Sequence, residues 1–244
     1  ATIALALASG LASAQLATIY GSGTVIGNGN AGFGGEIGNG SLMIETLADG
    51  TVNLTLNLGP DFTADQAGIY IDSIAGGVND TIGLTDSADP GRGILTGGAG
   101  VSDLGFASGF DADFGITFDA AFSGLCGLTP ADPNNLDFIA AVGTDGARDG
   151  NDAFWTARFN LSQIGLSAGD SFDFFLTYGN SSNFRSGEFI GAAPDQNTYA
   201  NGANIGNAFF QLGDNDFVRV NTIPAPAAAA LLGLGGLAAA RRRR

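Results

Sequence analysis

Histidine and lysine are both missing from the 244 residues, and cysteine, methionine and tryptophan each occur once. Without histidine there is no Ser-His-Asp or Cys-His nucleophile and no common His-based zinc site. Without lysine there is no Walker-type phosphate loop, no Schiff-base chemistry and no Ser-Lys dyad. A single Cys126 can form neither an intrachain disulfide nor a cysteine cluster, and it reads as a small buried apolar residue. Positive charge is scarce as well. All nine cations are arginines, against 24 acidic residues, for a formal net charge of −15. Four of those arginines stand together as Arg241–Arg244, so the remainder is more acidic still. Such a surface repels phosphate backbones, which excludes nucleic acid as a partner.

What is present is glycine, phenylalanine and aspartate. Forty glycines argue for many turns and against long helices. An apolar content of 45% is too high for a disordered chain. Glu36, Glu45 and Glu188 are the only glutamates, so the acidity is carried by aspartate, which suits turns and also suits calcium loops.

The two ends differ from the middle. Residues 1–14 form an apolar run closing on small residues, and Ala12 and Ala14 fit the A-x-A pattern that signal peptidase cleaves, here before Gln15. No Met or basic stretch precedes the run, so it reads as the later part of a signal helix. At the other end, residues 223–244 hold three parts in order. Pro224 and Pro226 keep the chain extended, Ala225 to Ala240 form an uncharged apolar helix, and Arg241, Arg242, Arg243 and Arg244 follow at once. A basic cluster beside an apolar helix stays on the cytoplasmic side and leaves the body outside.

Those residues resemble a PEP-CTERM sorting signal, the tripartite tail of exported bacterial proteins. Ala225 stands where that motif usually carries Glu. The resemblance covers about the last tenth of the chain. It implies an exosortase-type processing enzyme as partner, passage of the C-terminal helix through the inner membrane, and delivery to the cell envelope, its outer surface or the medium.

Between the ends, residues 15–40 read as a Gly-rich lead-in and residues 41–222 as one all-β domain, a β-sandwich or jelly roll with its phenylalanines between two sheets. The clearest unit is a hairpin over Ser41–Leu58. Val52, Leu54, Leu56 and Leu58 alternate with Asn53, Thr55 and Asn57, and Asp49-Gly50 supplies the turn. Further strands are expected over Gly68–Ile74, Asp113–Asp119, Leu136–Val142, Ala153–Asn160, Ser171–Tyr178 and Asp216–Thr222, with one helical turn over Leu161–Leu166. Residues Gly21–Gly40 read as an irregular loop. The runs Gly68–Ser73 and Gly109–Asp119 loosely resemble carbohydrate-binding β-sandwiches of exported proteins.

Candidate chemistry is limited to oxygen ligands and carboxylates. Asp145, Asp149, Asn151 and Asp152 gather in one Gly-rich loop and suit calcium or an ordinary turn; Asp80, Asp86 and Asp89 form a second cluster with the same two readings. Neither matches an EF-hand. Asp111 and Asp113 would share a strand face and so could serve glycoside hydrolysis. Trp155 reads as a core residue between Phe154 and Phe159 or as a sugar platform, and Arg185 with Glu188 as a surface pair in a loop. The expectation is a non-catalytic, exported structural or adhesive protein of an extracellular matrix or biofilm. The alternatives are a carbohydrate-binding module for extracellular polysaccharide and a weak glycan hydrolase.

Overall fold

A computed structural model describes residues 15–21, 41–58, 65–120, 122–145, 152–191, 209–213 and 216–225. In chain order the strands are β1 (Gln15–Gly21), β2 (Ser41–Leu47), β3 (Thr51–Asn57), β4 (Asp65–Asp72), β5 (Asp103–Gly105), β6 (Phe114–Phe118) and β7 (Ser123–Gly127). They continue as β8 (Asp137–Ala141), β9 (Phe154–Asn160), β10 (Ser171–Asn180), β11 (Arg185–Ile190), β12 (Phe209–Gln211) and β13 (Val218–Asn221). One short helix, α1 (Pro90–Thr96), and a 3-10 turn at Leu161–Ile164 complete the described elements.

Two antiparallel sheets dominate. The smaller runs β1-β2-β3-β9, and the larger runs β11-β10-β4-β6-β7-β8 with β13 also on β10. The β2–β3 hairpin forms as its alternation demands. Leu42, Ile44, Val52, Leu54 and Leu56 point inward, while the intervening residues stay partly exposed. Its loop has three residues, Ala48 to Gly50, and Gly50 takes φ 84°, a left-handed conformation that favours glycine. Asp49 braces the loop by accepting the Thr51 N–H at 2.9 Å.

The inner faces meet in one apolar core. β10 contributes Phe172, Phe174, Leu176 and Tyr178, the face expected from the alternation, and Trp155 is buried opposite. Along one side the sandwich is closed. The chain leaves β8 with the Val142 N–H on the Ser123 carbonyl at 2.9 Å, and the Val142 carbonyl then accepts the Arg158 N–H of β9 at 2.7 Å. A segment that switches sheets in this way joins the two layers at a corner.

The larger sheet is covered on its outer face too. Tyr70, Cys126 and Phe175 pack there beneath Ile94 and Leu95 of α1 and beneath loop residues Leu104, Phe106, Phe110, Leu128 and Leu136. Cys126 is buried, and burial pushes its thiol up to about 11. α1 was not foreseen in a stretch with two glycines and a proline. Asp89 caps it by accepting the Arg92 N–H at 2.9 Å, Pro90 starts it, and Gly97 ends it in the left-handed conformation.

Several expectations change. The segment expected as a lead-in contains β1, paired to β2 over all seven residues. Arg185 is not a surface residue in a loop. It begins β11, is 2% exposed, and lies beneath the outer layer, where its guanidinium finds enough acceptors to be buried. Asp111 and Asp113 do not share a strand face, because β6 begins only at Phe114. Among the described residues no helix is long and apolar enough to cross a membrane. The expected signal helix with Ala12 and Ala14, and the tail with Pro226 and Arg241–Arg244, lie outside the described residues.

Candidate functional site

One end of the larger sheet concentrates carboxylates. Strand register places Arg219 of β13, Asp173 of β10 and Asp72 of β4 side by side. Arg219 grips Asp173 with two bonds, 2.9 and 2.6 Å, and so answers one of the two facing acids. Among the described residues Asp72 has no such paired cation. It accepts the Asp111 N–H at 3.1 Å, yet burial, and then the nearby charges of Asp113, Asp173 and Asp111, push its carboxyl up to about 6. Asp113 is buried and committed. One of its oxygens accepts both the Ser73 and Ile74 N–H groups, at 2.8 and 2.9 Å, where β4 ends.

Beside this row lies an open hollow of about 580 Å³ lined by residues 76–80, Ile82, Leu84 and Asp111. Gly77 makes its wall possible. It takes φ 87°, and a Cβ there would lie 2.4 Å from the Asp111 carbonyl oxygen. Asp80, one of the sequence candidates, accepts the Ile82 N–H at 2.8 Å on the same wall. The arrangement can hold one proton near pH 6 at Asp72 and offers carboxylate and backbone groups to a polar ligand.

The other sequence candidates mostly brace backbone. Asp86 is buried, accepts the Leu136 N–H at 2.8 Å and lies 3.4 Å from the Arg92 guanidinium, which also meets Asp89 at 3.1 Å. These acids fasten α1 and the loop before β8. Asp145 accepts the Thr156 N–H at 2.7 Å, while its proposed calcium partners Asp149 and Asn151 lie outside the described residues and Asp152 is described apart from them. Among the described residues, no three acids or cysteines are placed to hold a metal ion.

Trp155 sits in the inter-sheet core and offers no exposed platform. An exposed aromatic pair occurs elsewhere, at Phe122 in the β6–β7 loop and Phe138 in β8. The two residues are 40% and 51% exposed, with ring centroids 6.0 Å apart. Gly124 lies beneath them, and a Cβ there would meet the Phe122 ring at 2.5 Å. Phe138 fell inside an expected strand, but the sequence carries no signal that β8 leaves this side uncovered.

Arg185 belongs to a buried polar knot that sequence reasoning missed. It donates to the Ser102 carbonyl, the Thr177 hydroxyl and the Tyr70 hydroxyl, each at 2.7 Å. Tyr70 in turn donates to the carbonyls of Ile94 and Leu95 at 2.9 Å, which ties α1 to the sheet. Burial raises the Tyr70 hydroxyl above its ordinary range. The knot is structural, since every bond it makes joins elements of the fold.

No family model, curated protein or solved structure matches this chain.

Proposed function

We propose that this chain is an exported bacterial protein, sorted to the cell envelope by its C-terminal tail, that serves a structural or adhesive role in an extracellular matrix or biofilm without catalysing a reaction. The single observation that carries this reading is the tail itself, with Pro224 and Pro226, the apolar run Ala225 to Ala240, and Arg241–Arg244 in that order. The fold is compatible with processing at both ends. The described strands begin at Gln15 and end at Asn221, so cleavage before Gln15 and near Pro224 would leave each of them whole. The acids also support a non-catalytic role, because Asp86, Asp89, Asp113 and Asp145 are spent on backbone N–H groups.

In the producing cell, deletion of residues 223–244 is expected to remove the protein from the cell surface and matrix and release it into the periplasm. Unchanged surface display of the truncated chain would overturn the sorting reading.

A second reading, a carbohydrate-binding module, is favoured by the Phe122–Phe138 pair, whose exposed faces suit the apolar face of a sugar ring. It predicts retention on polysaccharide that the double variant Phe122→Ala, Phe138→Ala loses. Calcium dependence of that binding would bring in Asp145, Asp149, Asn151 and Asp152. The hydrolase reading would need Asp72 as the proton donor, and the two acids beside it are engaged elsewhere, Asp173 with Arg219 and Asp113 with the Ser73 and Ile74 N–H groups.

A further inference from the structure

The edges of the two sheets are protected unequally. Natural sheets guard their edges with charge, shortness, bulges or a covering segment, because a bare edge templates pairing with another chain. β5 and β12 are three residues each, and β13 has four and carries Arg219. β11 opens on Arg185, and its ladder with β10 breaks between Thr177 and Gly179. The β7–β8 ladder also shifts register, and residues 142–144 cover β9.

Among the described residues β1 has none of these guards. Its sequence, Gln-Leu-Ala-Thr-Ile-Tyr-Gly, holds no charge and no proline, and its seven-residue ladder to β2 is unbroken. Among the described residues, no strand pairs with its other edge. Its inward row is also uncovered. Leu16 and Thr18 stand opposite Thr46 and Ile44, both buried, yet Leu16 is 47% exposed and Thr18 is exposed. The two rows flank a small seam of about 100 Å³ that Arg219 and Val220 of β13 close from the opposite sheet. Among the described residues, the larger sheet reaches β1 only through this end of β13.

We propose that β1 is a self-association edge, through which two copies of this chain join antiparallel into one continuous eight-stranded sheet. The occupant is a second copy because the strand is complementary to itself. A two-fold register centred on Thr18 pairs position 16 with 20 and 17 with 19, so that the sequence sets Leu against Tyr and Ala against Ile with no charged residue on either strand. Charge points the same way. At a formal −15, two copies repel over most of their surfaces, and β1 is a stretch where they can meet with no charged residue in the strand. Such pairing supplies a matrix protein with a partner of its own kind. It stands on β1 alone, so it holds or fails whether or not the tail is cut.

The test is the mass of the full chain in solution, by light scattering after gel filtration or by sedimentation, across a wide concentration range. Wild type is expected to dimerise with concentration. Thr18→Lys points a lysine inward at the two-fold, where its copy meets it, and is expected to halve the apparent mass while the melting curve stays cooperative. Thr55→Lys, on the outward face of β3, is expected to leave the dimer intact. A T18C variant is expected to cross-link into a disulfide dimer, because Thr18 faces itself in this register and Cys126 is buried. A wild type that stays monomeric, a dimer that survives Thr18→Lys as association through the apolar tail would, or a T18C chain that does not cross-link would each overturn the proposal.

Discussion

The two faces of the larger sheet are covered by different means. Its inner face meets a second regular sheet, and the contact is mostly apolar: Ile69, Ile71, Ile116, Phe174 and Leu176 against Leu42, Ile44, Leu54 and Trp155. Its outer face meets one short helix and long irregular chain, and there the apolar residues Tyr70, Phe175, Ile94 and Phe110 are interleaved with buried Asp86, Asp113, Thr81, Thr177 and Arg185. The reason is backbone chemistry. Strands satisfy their own N–H and C=O groups by laddering, whereas buried loops must find side-chain partners. Asp86 answers the Leu136 N–H, Thr81 the Leu104 N–H and Asp113 those of Ser73 and Ile74. One face is therefore held by area, the other by area plus specific polar bonds.

The largest effect should come from the regular face. Trp155→Ala removes a buried indole from the inter-sheet core and is expected to destabilise the fold by about 4 kcal/mol, as large-to-small core changes do. Circular dichroism during urea unfolding would read this loss. A loss below about 1 kcal/mol would mean that the inner core is loosely packed.

Arg185→Met tests the other face. It keeps much of the side-chain volume but strips a donor from the Ser102 carbonyl and from the Thr177 and Tyr70 hydroxyls, at an expected loss of about 2–3 kcal/mol. The loss is expected to fall unevenly. Hydrogen exchange should quicken in α1 and the loops above Tyr70 before it quickens in β2 and β3. Uniform quickening across both sheets would show that the two layers are one cooperative unit.

The smallest effect has the opposite sign. The Asp72 carboxyl is raised from an ordinary 3.8 to about 6, so its ionised form opposes folding. Stability should fall as pH climbs from about 4 through about 6, then level off. Asp72→Asn keeps an acceptor for the Asp111 N–H and removes the charge. Because the group is partly solvated, the gain is put at about 1 kcal/mol above pH 6, vanishing towards pH 4. Melting temperatures of the two proteins across that range would show it. A variant less stable than wild type at pH 7 would mean that the charge itself is used, by a cation or a ligand at the hollow.

The same contrast explains what was legible in the sequence. Where strand meets strand, alternation is written residue by residue, and the hairpin over Ser41–Leu58, the inward face of β10 and the turn at Leu161 form where the pattern placed them. The outer layer has no period to read. α1 is built from Pro-Gly-Arg-Gly-Ile-Leu-Thr and exists because Asp89 caps it and the sheet buries Ile94 and Leu95. β7, Ser-Gly-Leu-Cys-Gly, is buried at all five positions and shows no polar face. The acidic row was hidden for a similar reason. Asp72 and Asp173 are far apart in the chain and meet only through strand register, with Asp113 bonded where β4 ends, while the clusters visible in sequence, such as Asp86 with Asp89, turned out to brace backbone. Arg185 looked like a loop cation because nothing local shows that Ser102, Thr177 and Tyr70 will surround it.

The proposed export with removal of the tail can be read by intact-mass spectrometry of the protein made from its full gene, in envelope and medium fractions. The expected product is a mature chain that starts at Gln15 and ends near Pro224. A chain that keeps Ala1 to Ala14 and Arg241–Arg244 and stays in the cytoplasm would contradict it.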